Sequence, residues 1–488
     1  MNELPRSVHM LGICGTAMTA LAGSLQAQGV RVTGSDEHPY PPMSEHLAAL
    51  GIPCNEGYRP EHIPADVALV IVGNVIREAN PEAAEMRRRG LPHISMAEAV
   101  KRFAIGDRHT VAIVGTHGKT TTTSLAAHVL VELGADPGFL IGGIAKNFGS
   151  NFRVGGGAHF VIEGDEYDTA YFDKTPKFFK YGPRTLIFTS LEFDHADIYA
   201  DLDAIRTQFA ALLRGLPADG RVIACTDDPN VSALLSLAPC PVSGYGFGDG
   251  ADCRLADWSD DGSDAVFVTQ WEGRREPWRI SLPGRHNALN AAAVIVLCRG
   301  LGHEPAAVQA ALDSFQGVKR RQEVRGEVDG ITVIDDFAHH PTAVRLTIDA
   351  IQRRYAGRPV WAVLEPRSFT ARSRRFQAEF TEALAGAEHV LLAQPFVSDY
   401  SAGVERLDTA AIAEALRARS VPSAACRSAD EVLERVTAEA ASGDVVLIMS
   451  NGGFDNIHER LLQALRKRQR TAAKPTGASV PSPNSEPA

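Results

Sequence analysis

Residues 111–124 read VAIVGTHGKTTTTS, and this stretch decides the fold. The apolar run 111–114 predicts a buried parallel strand, Gly115-Thr116-His117-Gly118-Lys119-Thr120 a tight turn, and residues 121–133 a helix. Glycines let backbone N–H groups close on an anion, and the N-terminus of a helix adds partial positive charge. In that arrangement Lys119 reaches the β- and γ-phosphates of ATP, and the Thr120 hydroxyl meets Mg²⁺. A full Walker A loop has a glycine five residues before Gly118, where this chain has Ile113. The expectation is still an ATP site, with Gly115 to Thr121 around the phosphates.

The rest of the chain sets the context. A length of 488 residues suggests about three domains. The net charge of −10 argues against general nucleic-acid binding, so anionic ligands must be met by local cations. The longest apolar runs, 67–72 and 445–449, are strand-sized and predict no membrane span. Residues 1–7 lack the apolar core of a signal peptide, and the seven cysteines show no C-x-x-C spacing. A cytoplasmic protein with reduced thiols is therefore expected.

Working back from the loop, residues 8–13 and 30–34 predict two strands around a helix, a β-α-β unit. Gly12, Gly15 and Thr16 lie at its first turn, and Ser35-Asp36 at the end of its second strand. The third glycine of G-x-G-x-x-G is absent, so a dinucleotide and another diphosphate such as a UDP-sugar fit equally well. Another strand at 67–73 ends before Asn74, and residues 94–104 look helical. Working forward, Glu163 closes a strand that runs into Gly-Asp-Glu-Tyr-Asp168. A second strand, at 186–190, runs into Asp194-His195-Ala-Asp197. Both deliver metal-competent groups where open parallel sheets bind ligands. Asn287 and Asn290, ahead of a helix expected at 291–299, would either cap it or read adenine. Strands and helices alternate again after the basic turn at Arg320-Arg321, so the last part is a further α/β unit. The boundaries fall at 1–107, 108–322 and 323–470, followed by a Pro/Ser/Thr-rich tail at 471–488 expected to be disordered.

The ordered motifs GTHGKTTTTS, EGDEYD, EFDHADIY, GRHNALN, GVKRR and DDFAHHP resemble those of the Mur ligases, the ATP-dependent amide-bond-forming enzymes of peptidoglycan assembly. The resemblance implies an α/β, three-domain Mur ligase architecture: a Rossmann-like UDP-binding domain, a central P-loop ATPase domain and a C-terminal Rossmann-like domain. It implies that Lys119 holds the ATP phosphates, that Thr120 and Glu163 bind one Mg²⁺, and that His195 serves a second. It also assigns adenine to Asn287 and Asn290, the γ-phosphate to Arg321 and the ribose to Asp336 of the last domain. Gly12, Gly15, Thr16, Ser35, Asp36 and Asn74 would lie along the UDP moiety. Some members carry a carbamylated lysine about fifteen residues beyond the histidine, where this chain has Ala210.

The stretches TGSDEHPYPPMS, GNVIREANPE, EGDEYDTAYFDK and TSLEFDHADIY resemble the recycling branch of the family. That branch joins UDP-N-acetylmuramate to the murein tripeptide L-Ala-γ-D-Glu-meso-diaminopimelate. The branch that adds L-alanine is the alternative. The segment EPRSFTARSRR follows the recycling pattern only to Ser368. Four arginines there, Arg367, Arg372, Arg374 and Arg375, stand ready for a ligand with three carboxylates. Arg367 is nearest the strand end and is the expected peptide-binding residue. No nucleic acid or membrane partner is expected, and the chain is expected to be a monomer or weak homo-oligomer.

Overall fold

The computed structural model describes residues 4–39, 43–396 and 405–472. They fall into two compact units, Met1–Lys319 and Arg320–Ala488.

The first unit opens with five parallel strands: β1 (Ser7–Leu11), β2 (Arg31–Asp36), β3 (Cys54–Glu56), β4 (Leu69–Val72) and β5 (His93–Ser95). Their spatial order is β3-β2-β1-β4-β5, the pattern of a Rossmann-like sheet. β1 and β4 are buried along their whole length, as strands covered on both faces must be. The order in which strands are added reverses between β1 and β4, so the turns after these two strands flank one crevice. The segment expected to be helical from residue 94 begins as β5. Ser95 then caps the helix Met96–Ala99 in a reciprocal capping box with Glu98.

The second sheet of this unit has ten strands. They are β6 (His109–Val114), β7 (Gly138–Ala145), β8 (Ser150–Arg153), β9 (His159–Glu163), β12 (Thr185–Phe188), β13 (Arg221–Cys225), β14 (Val242–Gly246), β15 (Cys253–Asp260), β16 (Ala265–Trp271) and β17 (Arg274–Ile280). A separate hairpin, β10 (Asp168–Ala170) and β11 (Asp173–Pro176), lies between β9 and β12 in the chain. The order is β17-β16-β15-β14-β13-β12-β6-β9-β7-β8. β6 pairs in parallel with β9 on one side and β12 on the other. It is therefore the switch point, and its C-terminal end lies between the ends of those two strands. The helix Arg285–Gly300, packed against β13–β17 and the helix Lys119–Glu132, is buried over most of its length. Ala288, Ala291, Ala292 and Ala293, all fully buried, let it approach the core closely.

The second unit is a six-stranded sheet. Its strands are β18 (Glu323–Val328), β19 (Ile331–Asp336), β20 (Val360–Leu364), β21 (His389–Ala393), β22 (Ser423–Cys426) and β23 (Val445–Met449), in the order β18-β19-β23-β20-β21-β22. Only β18 runs antiparallel. The expected tail lies outside the described residues from 473 onward. Its first two residues, Thr471 and Ala472, still belong to the helix Ile457–Ala472. No described helix is long and apolar enough to cross a membrane.

Candidate active site

β6 continues through Ile113 to Val114, so the turn is confined to Gly115–Gly118 and the helix Lys119–Glu132 starts two residues earlier than expected. Ile113 takes a strand role in place of the Walker glycine: its carbonyl accepts from Gly164 N at 2.7 Å. Gly118 has φ +80°, and a Cβ there would lie 2.6 Å from Asn290 Oδ1, so both backbone and space demand glycine. Thr116 N donates to Ser190 O at 3.0 Å and His117 N to Ser190 Oγ at 2.8 Å. The first half of the loop is thus tied to the chain after β12. The start of the helix, Gly118 to Thr121, carries the N–H groups suited to phosphate. His117 turns its ring to Glu192, 3.3 Å away.

Lys119 extends along the loop rather than into solvent. Its Nζ donates to Gly115 O at 2.5 Å and lies 2.9 Å from each carboxylate oxygen of Glu166. Glu166 Oε1 also lies 2.7 Å from His195 Nε2, and the Tyr199 hydroxyl donates to Glu166 O at 2.8 Å. His195 holds a left-handed backbone, φ +55°, which is unusual for a non-glycine residue, and its ring packs edge-on against Tyr167. One step away, Thr120 Oγ1 donates to Glu163 Oε1 at 3.0 Å, and Gly142 N donates to Glu163 Oε2 at 2.8 Å. A Cβ on Gly142 would come within 2.6 Å of both oxygens of Glu163, so β7 can approach this carboxylate only through glycine.

Each charge of the site is set by its neighbours. Burial alone would raise the Glu166 carboxyl, but Lys119 and His195 outweigh it and hold the group below its ordinary range. Burial works against the His195 imidazolium, yet Glu166 raises it to about 9. Lys119 is likewise raised against burial by Glu166 and Asp165. Asp165 has its own cation, Lys177, at 2.6 Å.

The sequence pointed to Glu163 and His195 but not to Glu166, which joins them to the P-loop. Its signal was the run of four acids in EGDEYD. Only the placement of β9 and β12 on either side of β6 shows which acid turns inward.

Asn287 and Asn290 do not cap the helix, which begins at Arg285, two residues ahead of Asn287. Asn290 Oδ1 accepts from Thr122 Oγ1 at 3.1 Å, and its Nδ2 donates to Asn287 Oδ1 at 3.2 Å. Asn287 in turn donates to Pro283 O at 2.7 Å. Asn290 thus braces the helix that follows the loop, and Asn287 holds Asn290.

At the crevice between β1 and β4, Gly12, Gly15, Thr16 and Asn74 occupy the two turns, and Cys14 N donates to Asp36 Oδ2 at 2.9 Å. Ser35 departs from expectation. It is completely buried, its carbonyl accepts from Gly12 N and Ile13 N, and its hydroxyl faces His9 and His62. It shapes the turn instead of presenting a hydroxyl to a ligand. Val75, 77% exposed, stands beside Gly12 and gives the crevice an apolar wall that composition does not reveal.

In the second unit, Asp336 Oδ2 accepts from Gln322 N and Oδ1 from Ala338 N, at 2.8 and 2.7 Å. Burial raises its carboxyl against the opposing pull of Arg321. The Arg321 guanidinium lies 4.9 Å over the Phe337 ring. Arg367 follows β20, and its guanidinium carbon lies over the Phe396 ring, 4.2 Å from the centroid, with Nη1 3.4 Å from Glu365 Oε1. Arg372 meets the backbone of the same phenylalanine, and Arg374 turns to a different partner. Arg374 pairs with Glu405, and Arg372 donates to Phe396 O at 2.9 Å.

Three family descriptions match the chain: "Mur ligase family, catalytic domain" over residues 7–108, "Mur ligase middle domain" over 113–298 and "Mur ligase, glutamate ligase domain" over 320–452. The UDP-N-acetylmuramate–L-alanyl-γ-D-glutamyl-meso-2,6-diaminoheptandioate ligase of Escherichia coli K12 is 39% identical over 467 residues, 95% of this chain and 99% of that protein. The crystal structure of a murein peptide ligase from Psychrobacter arcticus matches with TM-score 0.73 at 35% identity, covering 94% of this chain and 98% of that one. That of the UDP-N-acetylmuramate–alanine ligase from Thermotoga maritima matches with TM-score 0.77 at 25% identity, covering 96% and 100%.

Proposed function

The chain belongs to the Mur ligase family of ATP-dependent, amide-bond-forming enzymes, and from that premise we propose that it joins UDP-N-acetylmuramate to the murein tripeptide L-Ala-γ-D-Glu-meso-diaminopimelate. The observation that carries this reading is the meeting of Lys119, Thr120, Glu163 and His195 at the C-terminal end of β6. The choice of tripeptide is supported by the 39% identity to the Escherichia coli enzyme over nearly the whole chain.

The chemistry explains the residue types. A carboxylate resists amines because its leaving group would be oxide. Attack of the lactoyl carboxylate on the γ-phosphorus releases ADP and leaves an acyl phosphate with a competent leaving group. The amine then attacks the carbonyl carbon, the tetrahedral intermediate expels phosphate, and the amine nitrogen gives up a proton. Both steps crowd negative charge, which oriented cations and N–H donors stabilise. Lys119 supplies the cation, and the helix start Gly118 to Thr121 supplies the donors. The hydroxyl of Thr120 and the carboxylate of Glu163 are oxygen donors suited to one hard divalent cation, and the imidazole of His195 is proposed to serve a second. When bound there, Mg²⁺ would neutralise phosphate charge. Gly12, Gly15, Thr16, Asp36 and Asn74 are proposed to line the UDP moiety, Asn287 and Asn290 to serve the adenine side, and Arg321 and Asp336 the γ-phosphate and ribose. Arg367 is proposed to bind a peptide carboxylate.

The second reading, UDP-N-acetylmuramate–L-alanine ligase, is favoured by the TM-score of 0.77 to the Thermotoga maritima enzyme. ADP release measured with UDP-N-acetylmuramate, with and without an amine acceptor, tests the ligase reading. Turnover that needs both substrates supports it, and ATP hydrolysis indifferent to both contradicts it.

A further inference from the structure

Glu166 is the most buried charge of the site, with its side chain 3% exposed, and it serves two cations at once. Both of its oxygens lie 2.9 Å from Lys119 Nζ, and one lies 2.7 Å from His195 Nε2. The other acids nearby are already satisfied. Asp165 pairs with Lys177, and Glu163 accepts from Thr120 and Gly142 N. Asp194 lies 3.9 Å from the His195 ring and accepts from the His195 backbone N–H. Tyr199 fixes the Glu166 backbone, and Tyr167 backs the imidazole.

This arrangement cannot persist once Lys119 turns to phosphate. Phosphate oxygens are stronger and more numerous partners for an ammonium than one carboxylate. A buried carboxylate left with His195 alone is less well compensated, and here it would also face the triphosphate, charge against like charge. An incoming divalent cation relieves both.

We propose that Glu166 is an exchange carboxylate: it neutralises Lys119 in the nucleotide-free protein and passes to a divalent cation shared with His195 when ATP takes Lys119. The inference rests on the reading that Lys119 serves ATP phosphates. It adds a metal ligand to the set of Thr120, Glu163 and His195, and a competition between Glu166 and nucleotide for one lysine.

The competition predicts a reversal that a merely structural residue would not produce. Binding of a non-hydrolysable ATP analogue to the full chain is measured by calorimetry in EDTA and in Mg²⁺, for the wild type and Glu166→Gln. In EDTA the variant should bind about tenfold more tightly, the weight of one charge-assisted hydrogen bond no longer displaced. In Mg²⁺ it should bind more weakly than the wild type. With Mn²⁺ as the probe, spin resonance should count one ion fewer in the variant–nucleotide complex. Glu166→Asp keeps the charge but withdraws it by one methylene, and it should show the same reversal in weaker form if the glutamine variant does not fold. Equal or weaker binding in EDTA, or an unchanged ion count, overturns the proposal. A wild type that binds no nucleotide in either buffer overturns the ATP-site reading beneath it.

Discussion

Lys119 and Glu166 form a two-point ion pair inside the protein, with each carboxylate oxygen 2.9 Å from the ammonium nitrogen. Forty-seven positions apart in sequence, they meet because β6 and β9 are adjacent parallel strands whose C-terminal ends coincide. The loop lysine of the candidate ATP site is therefore already oriented before any phosphate arrives.

Replacing that lysine tests its place in phosphoryl transfer. Lys119→Ala should lower kcat by about 10²–10³ or more, the cost of one oriented charge donor at a developing anion. Binding of UDP-N-acetylmuramate, assigned to the crevice between β1 and β4, should change little. Near-normal turnover by the variant would remove Lys119 from the mechanism.

Glu163 and Gly142 should fail in the same way for different reasons. Glu163→Gln weakens a metal ligand directly. Gly142→Ala places a methyl 2.6 Å from both carboxylate oxygens and pushes Glu163 away from Thr120. The clash is with the far end of a flexible side chain, so folding should survive. Both variants should need more Mg²⁺ for half-maximal rate. A wild-type Mg²⁺ dependence in Gly142→Ala, with the melting temperature also unchanged, would show that Glu163 holds no metal.

The loop, the turn at Gly12–Gly15 and the strand ends at Glu163 and His195 show in the sequence, because glycine spacing and apolar runs are local signals. Glu166 is hidden among neighbouring acids, since its role depends on strand order, which is not local. Asn287 and Asn290 look like caps until the helix is seen to start before them, which puts them on one face, three residues apart, with Asn290 bonded to the P-loop helix and Asn287 to Asn290. Ser35 belongs to a turn whose exposed neighbour, Gly15, is the part a ligand could touch. The meander β15–β17 is marked only by polar turns at 261–264 and 272–273, and its alternation is broken by a bulge between Ala256 and Ser259.

The His195–Glu166 pair predicts a pH dependence of stability in metal-free buffer. His195 lies at about 9 folded against 6.5 for the free side chain. Its contribution is complete below about pH 6.5 and is lost as pH rises through about 9. Glu166 lies below its ordinary 4.5, so its share is present above about pH 4.5 and is lost on further acidification. His195→Gln should therefore lower Tm most near pH 6 and least near pH 10, in EDTA. A deficit that stays constant across that range would contradict the pairing.

Arg367 offers a test of peptide recognition that leaves its charge in place. A Cβ on Gly452 would lie 2.0 Å from Arg367 Cδ, so Gly452→Ala must displace the guanidinium from Phe396 and Glu365. Gly452→Ala and Arg367→Ala should both raise KM for the tripeptide several-fold while KM for UDP-N-acetylmuramate holds. Equal effects on both substrates would remove Arg367 from the peptide site.

One comparison shows whether the amine acceptor is a peptide and not a free amino acid. ADP release is followed with ATP, Mg²⁺ and UDP-N-acetylmuramate, and kcat/KM is measured for L-Ala-γ-D-Glu-meso-diaminopimelate and for free L-alanine. The tripeptide carries three carboxylates where alanine has one, and the proposed Arg367 contact is made only by the longer acceptor. We predict a kcat/KM for the tripeptide at least about a hundredfold above that for alanine, the discrimination expected when a site built around a charged group meets a ligand lacking it. Comparable values, or a preference for alanine, would contradict the account and make this chain an L-alanine-adding ligase.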